Sequence, residues 1–145
     1  MSDDYKKWEA DCEKVRAENK KLLEAFGKWL DTKQLKEKTI QDHIFNVDLF
    51  VNDYLLYYDI TKAVDGASSV SSFFNEWFYR KAMWASENSV KKTAASLKKF
   101  YQYLFEAGAV KELDVIELKT TCRERMPEWI EAVRRFDALA DLDEW

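Results

Sequence analysis

Little in these 145 residues bends or crosslinks a chain: there are three glycines, one proline, two cysteines and one histidine. Gly27, Gly66 and Gly108 stand apart, so no glycine-rich loop is available to wrap a phosphate. With Pro127 as the only proline, helix-breaking positions are scarce and long helices are the natural outcome. Cys12 and Cys122 have neither the spacing of a metal site nor the number for a disulfide framework. Both are expected to be reduced thiols of a cytoplasmic protein. Long apolar runs are missing too: FNVDLFVNDYLLYY is broken by Asp48 and Asp53, and no apolar segment with a basic flank opens the chain. Neither a signal peptide nor a membrane span is therefore expected. A lone histidine without a second ligand in range argues for no metal, no cofactor and no acid–base catalysis. The carboxylate pairs, Asp3 with Asp4 and Asp143 with Glu144, read as capping or solubilising groups at the chain ends.

What is abundant is material for a core. Hydrophobic residues make up 47%, including six Trp, seven Tyr and nine Phe, enough for one domain over residues 1–145. Nothing alternates like a strand for long, so the expected class is all-α. A first helix from Ser2 to about Thr32 carries Tyr5, Trp8, Cys12, Val15, Asn19, Leu22, Phe26 and Trp29 at alternating steps of three and four, a heptad seam. Ser2 can cap it, and Asp3 and Asp4 suit the positive end of its dipole. Gly27 interrupts the pattern and permits a bend.

A second helix is expected to open at Thr39 with Asp42 as a near capping box, to bury Ile40, Ile44, Val47, Phe50, Val51, Tyr54 and Leu55, and to end near Tyr58. DITKAVDGASS reads as a loop with room for one helical turn. A third helix buries Val70, Phe73, Phe74, Trp77 and Phe78. The fourth runs from about Asn88 to Ala107, with Gly108 placed for a left-handed C-terminal residue. The tail resumes as a helix at Pro127, a suitable first helical position, with Ile130, Val133, Phe136 and Ala140 inward.

The charge pattern is uneven. Residues 1–32 hold seven basic and eight acidic side chains, 33–119 twelve of each, and 120–145 four and seven, so the acidity sits mostly in the tail. Within 77–105, Arg80, Lys81, Lys91, Lys92, Lys98 and Lys99 face one acid, Glu87. At roughly 100° per residue the four lysines of the fourth helix share an arc of about 120°, opposite Val90, Ala94, Leu97, Tyr101 and Leu104. Clustered Lys and Arg neutralise phosphates and release counterions, so a local basic face matters more to a polyanion than the net charge of −4. The alternative is the ordinary solvated side of an amphipathic helix.

Two stretches, LLEAFGKWLDTKQLKEKTIQDHIFNVDLFVNDYL and FFNEWFYRKAMWASENSVKKTAASLKKFYQYLFEAGAV, resemble the N-terminal SAM-like, or core-binding, domain of tyrosine recombinases and phage integrases. The resemblance covers roughly residues 20–119. It rests on Phe26, Trp29 and Leu30 at the end of the first helix, and on Leu35, Thr39 and Ile40 leading into the second. In the fourth helix it rests on Ser89, Thr93, Leu97, Phe100, Tyr101, Tyr103 and Leu104, with one residue more between Ser and Thr than the family pattern has.

The resemblance implies a SAM-like bundle of four core helices over 20–119, flanked by an N-terminal extension (1–19) and a helical tail (120–145) packed on it. It implies a clamp on duplex DNA, of the kind used in DNA integration and recombination. Carried over by position, the groups that would face DNA are Lys36, Lys38, Thr39 and His43 on the second helix and Ser89, Lys91, Lys92, Lys98 and Lys99 on the fourth. Most of these would meet phosphates and fix position without reading sequence. Strand transfer needs a tyrosine nucleophile with arginine and histidine partners, and no His-x-x-Arg spacing occurs in these residues, so binding without catalysis is expected.

A second class of function stays open: a helical module for protein interaction or oligomerisation. Asn19 at an a position of the seam is a device that sets register in dimers. Packing of the first helix on the tail, whose apolar stripe needs a partner in the same molecule, accounts for the same seam.

Overall fold

A computed structural model describes the backbone of residues 2–143; the side chains of the expected acidic pair, Asp143 and Glu144, lie outside the described residues. Helix makes up 82% with no strand among the described residues, far above the roughly one-third of ordinary domains, so the chain is an all-α helical bundle. No helix is long and apolar enough to cross a membrane. The chain divides into two compact units, Met1–Gly66 and Ala67–Trp145.

In the first unit, α1 (Asp3–Asp31) starts at Ser2, whose Oγ accepts from the Tyr5 amide at 3.3 Å, with Asp3 and Asp4 in its first turn. Its buried side chains are Cys12, Val15, Asn19, Leu23, Phe26 and Leu30. The heptad reading is corrected here: Tyr5 and Trp8 are exposed, and Leu23 and Leu30 replace Leu22 and Trp29. The span from Cys12 to Leu30 is five turns of about 3.6 residues, so the stripe follows an unsupercoiled helix and drifts off a 3.5-residue seam. Asn19 is buried and bonded within its own chain. Its Nδ2 donates to the Val51 carbonyl at 3.3 Å and to Asn52 Oδ1 at 2.8 Å, and Asn52 in turn donates to Asp48.

Gly27 causes no break in α1. A Cβ there would stand 3.0 Å from the Ile44 Cδ1, so glycine lets α1 approach α2 closely. After α1 the chain reverses through Gln34, whose φ of 62° is the left-handed conformation that costs an L-residue about 1–2 kcal/mol.

α2 (Glu37–Asp48) begins two residues before Thr39, with Lys36 extended at the cap position. The near capping box does not form, because Thr39 already lies inside the first turn and Asp42 pairs with Lys38 at 3.1 Å. The helix continues as a π-helical segment, Leu49–Tyr54, burying Phe50, Val51 and Tyr54. The connection beyond it holds two 3₁₀ turns, Ala63–Asp65 and Ala67–Ser69.

In the second unit, α3 (Val70–Ser72), a π-helical segment Phe73–Trp77 and α4 (Phe78–Lys81) form one continuous helical rod that buries all five residues expected of it. α5 (Glu87–Glu106) is bounded by local chemistry at both ends. Ser86 Oγ accepts from the Ser89 amide at 3.1 Å while Ser89 Oγ accepts from the Ser86 amide at 2.8 Å, a reciprocal capping box. At the other end Gly108 takes φ 78° and the Ala109 amide reaches back to the Leu104 carbonyl at 2.8 Å, a Schellman closure.

α6 (Glu112–Asp143) overturns the expected start at Pro127, which lies in the interior of a 32-residue helix. The start is at Glu112, where Asp114 Oδ2 accepts from the Lys111 amide at 3.2 Å. Val115, Leu118, Cys122, Trp129 and Val133 face the core, and Trp129 stacks on Phe74 at 4.5 Å between ring centroids. Proline removes the amide that would bond the Arg123 carbonyl, but Arg123 and Pro127 are both exposed, so water can take that carbonyl. Phe136 and Ala140, expected inward, are exposed, because the inward face ends at Val133 and, among the described residues, the last turns carry no buried side chain.

Candidate nucleic-acid interface

The nine residues singled out from the sequence fall into two groups, each held by one helix. On α2, Lys36 and Lys38 are exposed while Thr39 and His43 are half-buried. Lys38 and His43 are five residues apart, which turns them roughly 140° from each other around the helix. Lys38 therefore does not share an edge with His43, and its ammonium is taken by Asp42.

On α5 the expected face is present as a local feature. Val90, Ala94, Leu97, Tyr101 and Leu104 are buried; Lys91, Lys92 and Lys99 are exposed, and Lys98 is half-buried. Among the described residues no carboxylate lies in ion-pair distance of Lys92, Lys98 or Lys99. Lys91 differs, since its Nζ is 3.3 Å from Glu87 Oε1. The Ser89 hydroxyl is engaged in the capping box and also donates to backbone carbonyls, so its first role is to fix where α5 begins.

α6 packs along α5 and adds two cations that local sequence patterns could not place there. Lys119 Nζ donates to Gln102 Oε1 at 3.4 Å, and Arg134 Nη2 donates to Glu87 Oε2 at 2.8 Å. Both residues stand far along the chain from their partners, and only the pairing of α5 with α6 brings them to the lysine stripe. Glu87 is held below the ordinary glutamate range, first by the hydrogen bond from Arg134 and then by that from Lys91. Its ion pairs are solvent-exposed, so water and salt screen them.

Both thiols are buried. Burial raises Cys12, and burial pushes Cys122 up to about 11 against a smaller lowering pull from Lys98, so both stay protonated. Among the described residues no three His, Cys, Asp or Glu side chains gather as metal ligands. What the α5 edge offers chemically is a set of ammonium and guanidinium donors, groups that can hold anions. No protein-family model matches the chain, and no curated protein or solved structure matches it.

Proposed function

We propose that the chain is a non-catalytic module that binds duplex DNA, using α5 as its phosphate-facing edge in the manner of the core-binding domains its sequence pattern resembles. The observation that carries this reading is the α5 stripe, in which Lys92, Lys98 and Lys99 stand clear of carboxylates along one side of a helix whose opposite side is wholly buried. Lysines so placed meet phosphates as point charges and tolerate any sequence. Lys36 at the start of α2 is a further unpaired cation, whereas Lys38, Thr39 and His43 contribute less because they are paired or half-buried.

Changing Lys91, Lys92, Lys98 and Lys99 to Glu together should abolish binding to duplex DNA while the circular dichroism of the helices stays unchanged. For the native chain, log affinity should fall linearly with log salt, with a slope near −3 to −4 if all four lysines contact phosphates, at about −0.9 per contact. Absence of any complex at low salt and high protein concentration defeats the reading.

A helical protein-interaction module is the second reading. It is favoured by apolar side chains exposed towards the outer ends of α1 and α6, namely Tyr5, Trp8, Phe136, Leu139 and Leu142. Sedimentation of the chain with Tyr5→Ser and Trp8→Ser discriminates, because a fall in mass relative to the native chain points to self-association through α1.

A further inference from the structure

We propose that Lys91 and Arg134 form a phosphate site across the α5–α6 seam, and that the Glu87 carboxylate fills it in the free protein as a built-in competitor. This rests on the DNA-binding reading above and names how the same edge is regulated. Two cations from different helices converge on a single carboxylate, Arg134 at 2.8 Å and Lys91 at 3.3 Å. Glu87 is the first residue of α5, directly after the Ser86 cap, where the helix dipole favours an anion. A carboxylate with a donor on each oxygen occupies the position that a backbone phosphate would take, and Arg and Lys serve both anions through the same N–H groups.

The occupant is replaceable. All three side chains are about half exposed, at 62% for Arg134, 54% for Lys91 and 43% for Glu87, so solvent screens the pairs and the carboxylate can swing out on its own rotamers. Glu87 is also the single acid within residues 77–105, so its removal unmasks two cations without disturbing any other pair on that stretch. Glu106, at the far end of α5, makes the proper control. It carries the same charge on the same helix and accepts from Gln102 at 3.1 Å, while Lys91 and Arg134 are both engaged with Glu87.

The test is salt-titrated binding of the full chain to duplex DNA for the native protein, Glu87→Gln, Glu106→Gln, Arg134→Ala and the Glu87→Gln, Arg134→Ala double variant, with circular dichroism to verify folding. Glu87→Gln should tighten binding about fivefold, as expected for releasing two exposed ion pairs. Glu106→Gln should change it less than about twofold, as expected where neither Lys91 nor Arg134 is released. Arg134→Ala should weaken binding more in the Glu87→Gln background than in the native one, since only there is the guanidinium free in advance. Equal gains from the two Glu→Gln changes, or an Arg134→Ala effect that is the same in both backgrounds, would leave net charge as the cause and overturn the site while sparing the DNA reading. No complex from either the native chain or Glu87→Gln overturns both.

Discussion

α5 and α6 lie against each other, yet their extents are set in different ways. α5 is delimited by its own neighbours in sequence: the Ser86–Ser89 box opens it and Gly108 closes it, each through bonds spanning five residues or fewer. α6 runs through a proline that by itself would end a helix, and what carries it past Pro127 is burial on both sides of that residue, Leu118 and Cys122 before it and Trp129 and Val133 after. A helix boundary can therefore be local chemistry or a tertiary outcome, and the two respond to different substitutions.

The largest effect should come from the tertiary side. Trp129→Ala removes a fully buried ring stacked on Phe74 and should cost about 3–5 kcal/mol in chemical denaturation, with loss of helix C-terminal to Pro127. Pro127→Ala should stabilise the chain, since a proline in a helix interior costs about 3 kcal/mol and its loss gives back about 1 kcal/mol of unfolded-state entropy, a net gain near 2 kcal/mol. If thermal unfolding is unchanged by Pro127→Ala, the helix has adapted to the proline more completely than burial alone explains.

On the local side, Ser86→Ala should cost about 1 kcal/mol by removing a cap, and Gly108→Ala about 1 kcal/mol by forcing a side chain into a left-handed residue. Amide exchange should show each loss confined to its own end of α5. Smallest of all, Phe136→Ser should shift stability by less than about 0.5 kcal/mol, because its ring keeps 39% of its exposure and meets Tyr79 edge-on.

The same contrast explains what could be read in advance. The class, the five buried aromatics and aliphatics between Val70 and Phe78, and both ends of α5 follow from periodicity and end signals that act over one or two turns. The lysine stripe was legible for the same reason, being a property of one helix. Pro127 misled because its local meaning is a start, while the pattern Val115, Leu118, Cys122, Trp129, Val133 continues through it and carried the better signal. The seam in α1 misled because steps of three and four fit both a 3.5 and a 3.6 period over four turns, and only burial at Leu23 and Leu30 separates them. Lys119 and Arg134 could not be found at all without knowing that α6 runs beside α5.

The π-helical stretch Leu49–Tyr54 has its own consequence. A π turn holds one residue more than an α turn, so excising a single residue there lets the backbone relax to ordinary spacing. Because the π segment already absorbs that residue, excising the exposed Asp53 would return the backbone to α spacing with Tyr54 and Leu55 still facing the interior and the Val51 carbonyl still before the Asn19 amide. The extra residue is a slack turn stored in the chain, and a one-codon deletion at this place should be far less damaging than one in the middle of α1 or α5, where it would turn every later side chain by about 100°.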